Sequence, residues 1–380
     1  GGEDFEVRGV LDIVNDNVRV FISSWECVNV TRVVDNGKDA TDPEASFTLY
    51  CVTPAGVGEG LPIVILSETG SQSSSGLSFT FSYGRPVVAD MNLWVEAANA
   101  GARLLAIADG VPTLGANITL TGANFGTPAL SPVVISWLNN GVLNATYQDH
   151  ERIVFMLPPG DGVSHVLQVT VGSQISAPIL FRFRAPFISS ITPTHAPTAG
   201  GAVLTVYGNN FGVSLPAVMV GGLPCIVAQP FVPALQHDAV SCVLPAGEGM
   251  SLPVSLVVGT QASTAAVTAT FTYDAPSVSG VSVLTASTSG RTLGAMIDEL
   301  HYSDGEPIVQ TVFGTNFGRS GSVRLMGDDL SDVPELVVSV PSANVLTWNH
   351  TTIQFRIPEG YGKTLVMVVT TGGQSSPIAA

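Results

Sequence analysis

The residues able to do chemistry in this chain are few and dispersed. Its six histidines, His150, His165, His195, His237, His301 and His350, match neither H-E-x-x-H nor any other metal-ligand spacing. No nucleophile elbow is present either. Carboxylates gather at Asp328-Asp329 and at Asp35, Asp39 and Asp42. A calcium ion takes oxygen ligands of this kind, and a solvated surface loop has the same composition. Trp25, Trp94, Trp137 and Trp348 could stack on sugar rings, or fill a core or an interface. These patterns predict no catalytic residue, no cofactor and no metal.

Cross-linking and glycosylation are better represented. Cys27 and Cys51 sit early in the chain, Cys225 and Cys242 later, and the second member of each pair lies three residues before a turn proline. A pair recurring at one position predicts two disulfides, with reduced core cysteines as the alternative. Closing loops of this size contributes about 3 kcal/mol by chain entropy. N-x-[S/T] sequons stand at Asn29, Asn117, Asn144 and Asn349. Together the two features predict the secretory route, hence an extracellular or cell-surface place with N-linked glycans. Ser71 to Ser75 and Thr192 to Thr198 are either sites of O-linked sugar or plain polar loops.

The elements that carry these residues repeat. Pro54-Ala55-Gly56-Val57-Gly58 recurs as Pro158-Pro159-Gly160-Asp161-Gly162, Pro245-Ala246-Gly247-Glu248-Gly249 and Pro358-Glu359-Gly360-Tyr361-Gly362. Each copy lies between apolar runs. Proline fixes φ and glycine permits positive φ, so P-x-G-x-G predicts a strand-to-strand hairpin turn. No helix follows to offer its N-terminus to a phosphate. Upstream, Gly201 to Gly212 places an alternating strand before Gly208-Asn209-Asn210-Phe211-Gly212; Gly115 to Gly126 repeats it, and Val312 to Gly318 is a looser version. Downstream comes F-x-[F/Y]-x-x-P at Phe81 to Pro86, Phe181 to Pro186 and Phe271 to Pro276, two aromatics on one strand face ended by proline.

The run from Pro186 to Pro193, then Gly200-Gly201, the G-N-N-F-G turn, the P-A-G-E-G turn and Phe271-Thr272-Tyr273 to Pro276 resembles an IPT/TIG domain. The resemblance covers 186–275, with partial matches over most of the rest. It implies an all-β chain of immunoglobulin-like β-sandwiches, as found in plexin-type ectodomains, certain transcription factors and large extracellular proteins, and leaves function open. Four tandem repeats are expected, at 1–85, 86–185, 186–275 and 276–380. The first, matched from Gly1 to Gly9 onto Gly200 to Gly208, lacks a first strand. The fourth stops at Ala380, where its last aromatic strand should begin. Asp90 to Ala100 is expected as a short helix or an interdomain insertion, and the fourth repeat makes a longer excursion through Met296 to Leu300.

Composition narrows the function. A net charge of −16 disfavours nucleic acid and anionic membrane surfaces, which need clustered Lys and Arg. No apolar run nears the roughly 18–20 residues that span a bilayer. Only 12% of residues are charged, and lysine occurs only at Lys38 and Lys363. Sheet edges are commonly guarded by lysine, so something else covers them, glycans or neighbouring subunits, unless the scarcity is a habit of the source.

The sequence therefore predicts a glycosylated structural subunit that self-associates head to tail into a fibre or surface appendage, with no direct membrane insertion. Strand complementation between unfinished ends would join copies, with Phe5, Val7, Pro377 and Ile378 in the assembly strands. The alternative is an ectodomain fragment of a plexin-like receptor or adhesion protein that binds protein or glycan. A third class, accessory domains of a carbohydrate-active enzyme, lacks a catalytic domain.

Overall fold

The computed structural model describes residues 4–10, 18–34, 46–67, 79–97, 101–227, 237–265, 269–298, 301–327, 337–360 and 365–377. Their secondary structure is almost all strand, with one 3-10 turn at Ser342–Asn344. Asp35 to Glu44, Ser71 to Ser75, Asp328, Asp329, Tyr361 and Ile378 lie outside these residues, and with them the expectations placed there. The chain divides into two compact units, Gly1–Pro159 with Val163–Phe183, and Gly160–Gly162 with Arg184–Ala380.

In the first unit, the strands Asp4–Val10, Ser46–Val52 and Val28–Val34 form one sheet, and Val18–Ile22 pairs with Leu61–Ser67 in another. Alternation turns Val20, Ile22, Leu49 and Cys51 inward, and with Cys27 they make a small core. A larger core follows around Ile118, Leu120, Phe125, Ile135, Phe155 and Phe183.

The second unit holds a core around Leu204, Phe211, Leu256, Phe271 and Tyr273, and another around Val312, Phe317, Val323, Ile353 and Phe355. Each fully buried aromatic contributes roughly 1.5–3 kcal/mol of transfer free energy.

The N-F-G turn plugs these cores. Phe125, Phe211 and Phe317 are all 0% exposed, so the ring enters the interior while the backbone reverses. Reversal needs positive φ on both sides: Asn124, Asn210 and Asn316 lie at 65°, 61° and 60°, and Gly126, Gly212 and Gly318 at 64°, 72° and 69°. Asparagine tolerates that region better than other residues with a Cβ.

The glycines of P-x-G-x-G serve two purposes. A Cβ on Gly56 or Gly247 would enter the ring of Tyr83 or Tyr273, and the two tyrosine hydroxyls donate to Pro54 O and Pro245 O at 2.8 and 2.7 Å. The last glycine instead supplies positive φ, 116° at Gly58, 94° at Gly162 and 119° at Gly249.

Two expectations need correction. The P-x-G-x-G segment is an arch, not a hairpin. Ser46–Val52 and Leu61–Ser67, on either side of the first copy, belong to different sheets, and Arg152–Leu157 and His165–Val171 do not pair with each other. Hydrophobic alternation alone cannot tell a partner strand from a facing one. Asp90 to Ala97 is neither helix nor insertion but most of the strand Val87–Ala97, laddered to Ala116–Ala123 and Gly101–Ala106. Its alternate residues Met91 and Leu93 face the core, the period-2 signal of a strand. The excursion through Met296 takes the form of a paired strand couple, Arg291–Asp298 with His301–Pro307.

Candidate functional site

The fourth residue of the P-x-G-x-G arch recurs as an anchor. In each case it meets two glycines of the repeat that follows. A Cβ on Gly126 or Gly172 would run against Val57, one on Gly212 or Gly259 against Asp161, and one on Gly318 or Gly372 against Glu248 or its neighbour Gly249. The first glycine ends an N-F-G turn and the second opens a tight two-residue turn. Their missing side chains leave the seat.

Glu248 is the most fully bound of the three. Its Oε2 accepts from the backbone N–H of Arg319, from Ser320 N at 3.2 Å and from Thr371 Oγ1 at 3.1 Å, while Oε1 accepts from Ser320 Oγ at 2.7 Å. Half-burial pulls its carboxyl up. The Ser320 hydroxyl, the two backbone N–H groups and the Thr371 hydroxyl outweigh that pull and hold it below the ordinary value.

Around this seat Thr198 N donates to Asn316 Oδ1 at 3.2 Å, the His350 ring meets the Thr198 hydroxyl at 2.9 Å, and Gln374 Nε2 donates to Tyr273 O at 2.9 Å. Burial pushes the His350 imidazole down, and Arg319 adds to the shift against the opposing pull of Glu248.

Asp161, which the fold places in the second unit, repeats the arrangement. Its Oδ2 accepts from Val213 N at 2.7 Å and Ser214 N at 2.6 Å, and Oδ1 from Ser214 Oγ at 3.0 Å. In the first unit the anchor is apolar. Val57 packs with the core of Phe125 and Val171, and Gln174 Nε2 donates to Tyr83 O at 2.7 Å.

Local sequence explains the difference. After N-F-G the second residue is Ser214 or Ser320 where the anchor is acidic, and Pro128 where it is Val57. Proline has neither N–H nor hydroxyl, so a carboxylate there would be desolvated without two of its donors. Sequence reasoning treated both motifs only as turns. The usable signal was the covariation of anchor and receptor inside one chain.

The sequence-predicted residues do not converge. His150, His237 and His350 do share one structural position, each carbonyl accepting from the N–H of Phe125, Phe211 or Phe317 at 3.0–3.1 Å. They stand in separate repeats and form no cluster. No group of three or more His, Cys, Asp or Glu that could hold a metal occurs among the described residues. Trp137 is 6% exposed within a core, and Trp348 packs on another while its Nε1 donates to Phe317 O at 2.7 Å.

Cys225 and Cys242 are joined, whereas Cys27 and Cys51 are buried thiols in the structure. Asn29, Asn117, Asn144 and Asn349 are exposed. The Asn349 side chain caps its own turn, accepting from Thr351 N and Thr352 N at 2.9 and 2.8 Å. Phe5 and Val7 pair with Cys51 and Leu49, in a strand at the edge of its three-stranded sheet. Pro377 is exposed beyond the short strand Gln374–Ser375.

Buried alternation, sheets facing across shared cores and the recurrent arch define an all-β protein of immunoglobulin-like domains. Residues 107–183 and 186–273 match the family model described as the IPT/TIG domain, and these two segments are IPT/TIG domains. The chain is similar to mouse Fibrocystin-L, 29% identical over 131 residues, which is 34% of this chain and 3% of that protein. It thus spans a small fraction of the curated relative it matches.

Among solved structures, it is similar to the surface glycan-binding protein PbSGBP-B from Prevotella bryantii at 14% identity and a TM-score of 0.31, covering 50% of this chain and 40% of that one. It is also similar to the full extracellular region of Plexin A4, at 13% identity and a TM-score of 0.24, covering 94% and 33%.

Proposed function

We propose that this chain is a non-catalytic, structural stretch of an extracellular protein, a series of immunoglobulin-like domains joined through side-chain anchors. The observation that carries this reading is Glu248, a half-buried carboxylate with four donors from the following repeat. An anchor of that kind fixes one domain on the next, which suits a protein that holds position and spacing. The Cys225–Cys242 bond, the exposed sequons and the acidic surface support an extracellular place. Scarce lysine and low charge favour a glycosylated chain whose sheet edges are covered by further copies, the fibre form of the same role.

The test is a distance measurement on the full chain. Spin labels on the repeats holding Glu248 and Ser320 should give one narrow distribution, and Glu248→Ala should broaden it. An equally broad distribution in the unmodified protein would sink the reading. Light scattering over a concentration series tests the fibre form, where growth of mass with concentration is expected and a constant monomer mass excludes it.

A further inference from the structure

Cys27 and Cys51 stand in the same ladder as a pair that is already bonded. In the bonded pair, Ile226 and Val243, each one residue beyond its cysteine, face each other across two strands. In the first repeat Val28 and Val52, again one residue beyond, face each other. The flanking strands agree. Cys242 lies opposite Leu204 and Cys51 opposite Phe5. Cys225 pairs with Val218, and Cys27 N donates to Val20 O at 2.8 Å. Both thiols are buried, 4% and 3% exposed.

We propose that Cys27 and Cys51 form a second disulfide, the covalent staple of the first repeat. The ladder that fixes the Cα separation of the bonded pair at 5.5 Å is present here, so closure requires no change of strand register. With Cys225 and Cys242 committed to each other, these are the two remaining cysteines of the chain. The staple would matter here, because Cys27 and Cys51 lie in that core with Val20, Ile22 and Leu49, five buried residues among the described ones.

The chemistry is a two-electron oxidation. One cysteine thiolate attacks a small disulfide such as oxidised glutathione, forming a mixed disulfide and expelling one glutathione thiolate. The second cysteine thiolate then attacks the mixed disulfide and expels the other, so the cysteine pair is oxidised, the glutathione disulfide is reduced, and the two protons lost by the cysteines end on two glutathione thiols. Burial pushes both thiols up, Cys51 to about 12, so the folded pair reacts slowly and the bond forms while the chain is folding.

The experiment folds the full chain in a glutathione redox buffer, denatures it without reductant, alkylates it and maps the peptides. The expected result is no alkylated cysteine and a peptide linking Cys27 to Cys51. Alkylation of both, a link from either to Cys225 or Cys242, or a disulfide-linked dimer would each overturn the proposal. Hydrogen exchange gives a second readout. Reduction should speed exchange in Val18–Ile22 and Ser46–Val52 on the order of a hundred-fold. Unchanged exchange in those strands would show that the pair staples nothing.

Discussion

Ser320 meets Glu248 twice, its hydroxyl donating to Oε1 at 2.7 Å and its backbone N–H to Oε2 at 3.2 Å. One small residue thus holds both oxygens of a carboxylate that belongs to the preceding repeat. The same residue type does the same to Asp161 through Ser214. The geometry is a carboxylate in a cup of backbone N–H groups, built where a glycine in the left-handed region turns successive amides one way.

Removing the carboxylate should leave the donors of Arg319 and Ser320 without their acceptor, while the Thr371 hydroxyl keeps Ser320 O at 2.6 Å. Glu248→Ala is expected to destabilise the second unit by about 1–3 kcal/mol, and Glu248→Gln by less because one oxygen remains. Urea denaturation checks this, with exchange of the Arg319 and Ser320 amides as the local readout. Identical midpoints for all three proteins would contradict it.

The match between anchor and receptor predicts a coupled pair in the first unit. Val57→Asp should destabilise, because Pro128 supplies no donor, and Pro128→Ser should recover part of the loss only when Asp is present. A double-mutant cycle measures the coupling, expected at about 0.5–2 kcal/mol. Strict additivity would mean that the two positions do not communicate.

Acid should loosen the second unit in two stages. His350 is depressed below its ordinary 6.5, so the unfolded state binds the proton first and stability begins to fall as pH drops below that value. Glu248 is depressed below 4.5, so its contribution is present above that value and lost as pH falls through the folded pKa. Thermal unfolding between pH 7 and 3 should show both stages in the native protein. Glu248→Gln should keep only the upper stage, and a variant that kept the lower one would assign it elsewhere.

Phe211 is 0% exposed, and its turn admits no larger residue before it, since a Cβ on Gly208 would strike the Phe187 carbonyl and the Phe211 ring. Phe211→Ala should cost about 3–5 kcal/mol. Gly208→Ala should also destabilise, through the clash and not through a cavity. Calorimetry separates both from native protein, and a neutral Gly208→Ala would show that the strand shifts freely.

Tyr273→Phe removes only the hydroxyl that donates to Pro245 O. Phe183 stands at the equivalent position of the second repeat, so the fold accepts the change. A loss of about 0.5–1.5 kcal/mol is expected in denaturant. No loss would mean that water replaces the bond at no cost.

The fold was legible because its signals are local. Phe211 and Gly212, or Phe271 and Tyr273, announce a turn and a strand by residue type alone, and their repetition announces an array. The strand at Asp90 to Ala97 was missed because two partners, Ala116–Ala123 and Gly101–Ala106, decide it, and neither is visible in its own propensity. The arch was mistaken for a hairpin for a related reason: a strand reads the same whichever sheet it joins.

What the amino-acid sequence determined by itself is the all-β character, the repeats and the positions of the turns, since φ preference and alternation act within a few residues. Tertiary structure alone decided that Asp161 and Glu248 are anchors and not solvated turn residues. It also joined Cys225 to Cys242 and set Cys27 and Cys51 in the matching ladder. The cause in each case is contact across a long loop, Glu248 with Ser320 or Asp161 with Ser214, where a carboxylate is held by donors that the chain brings back only after folding.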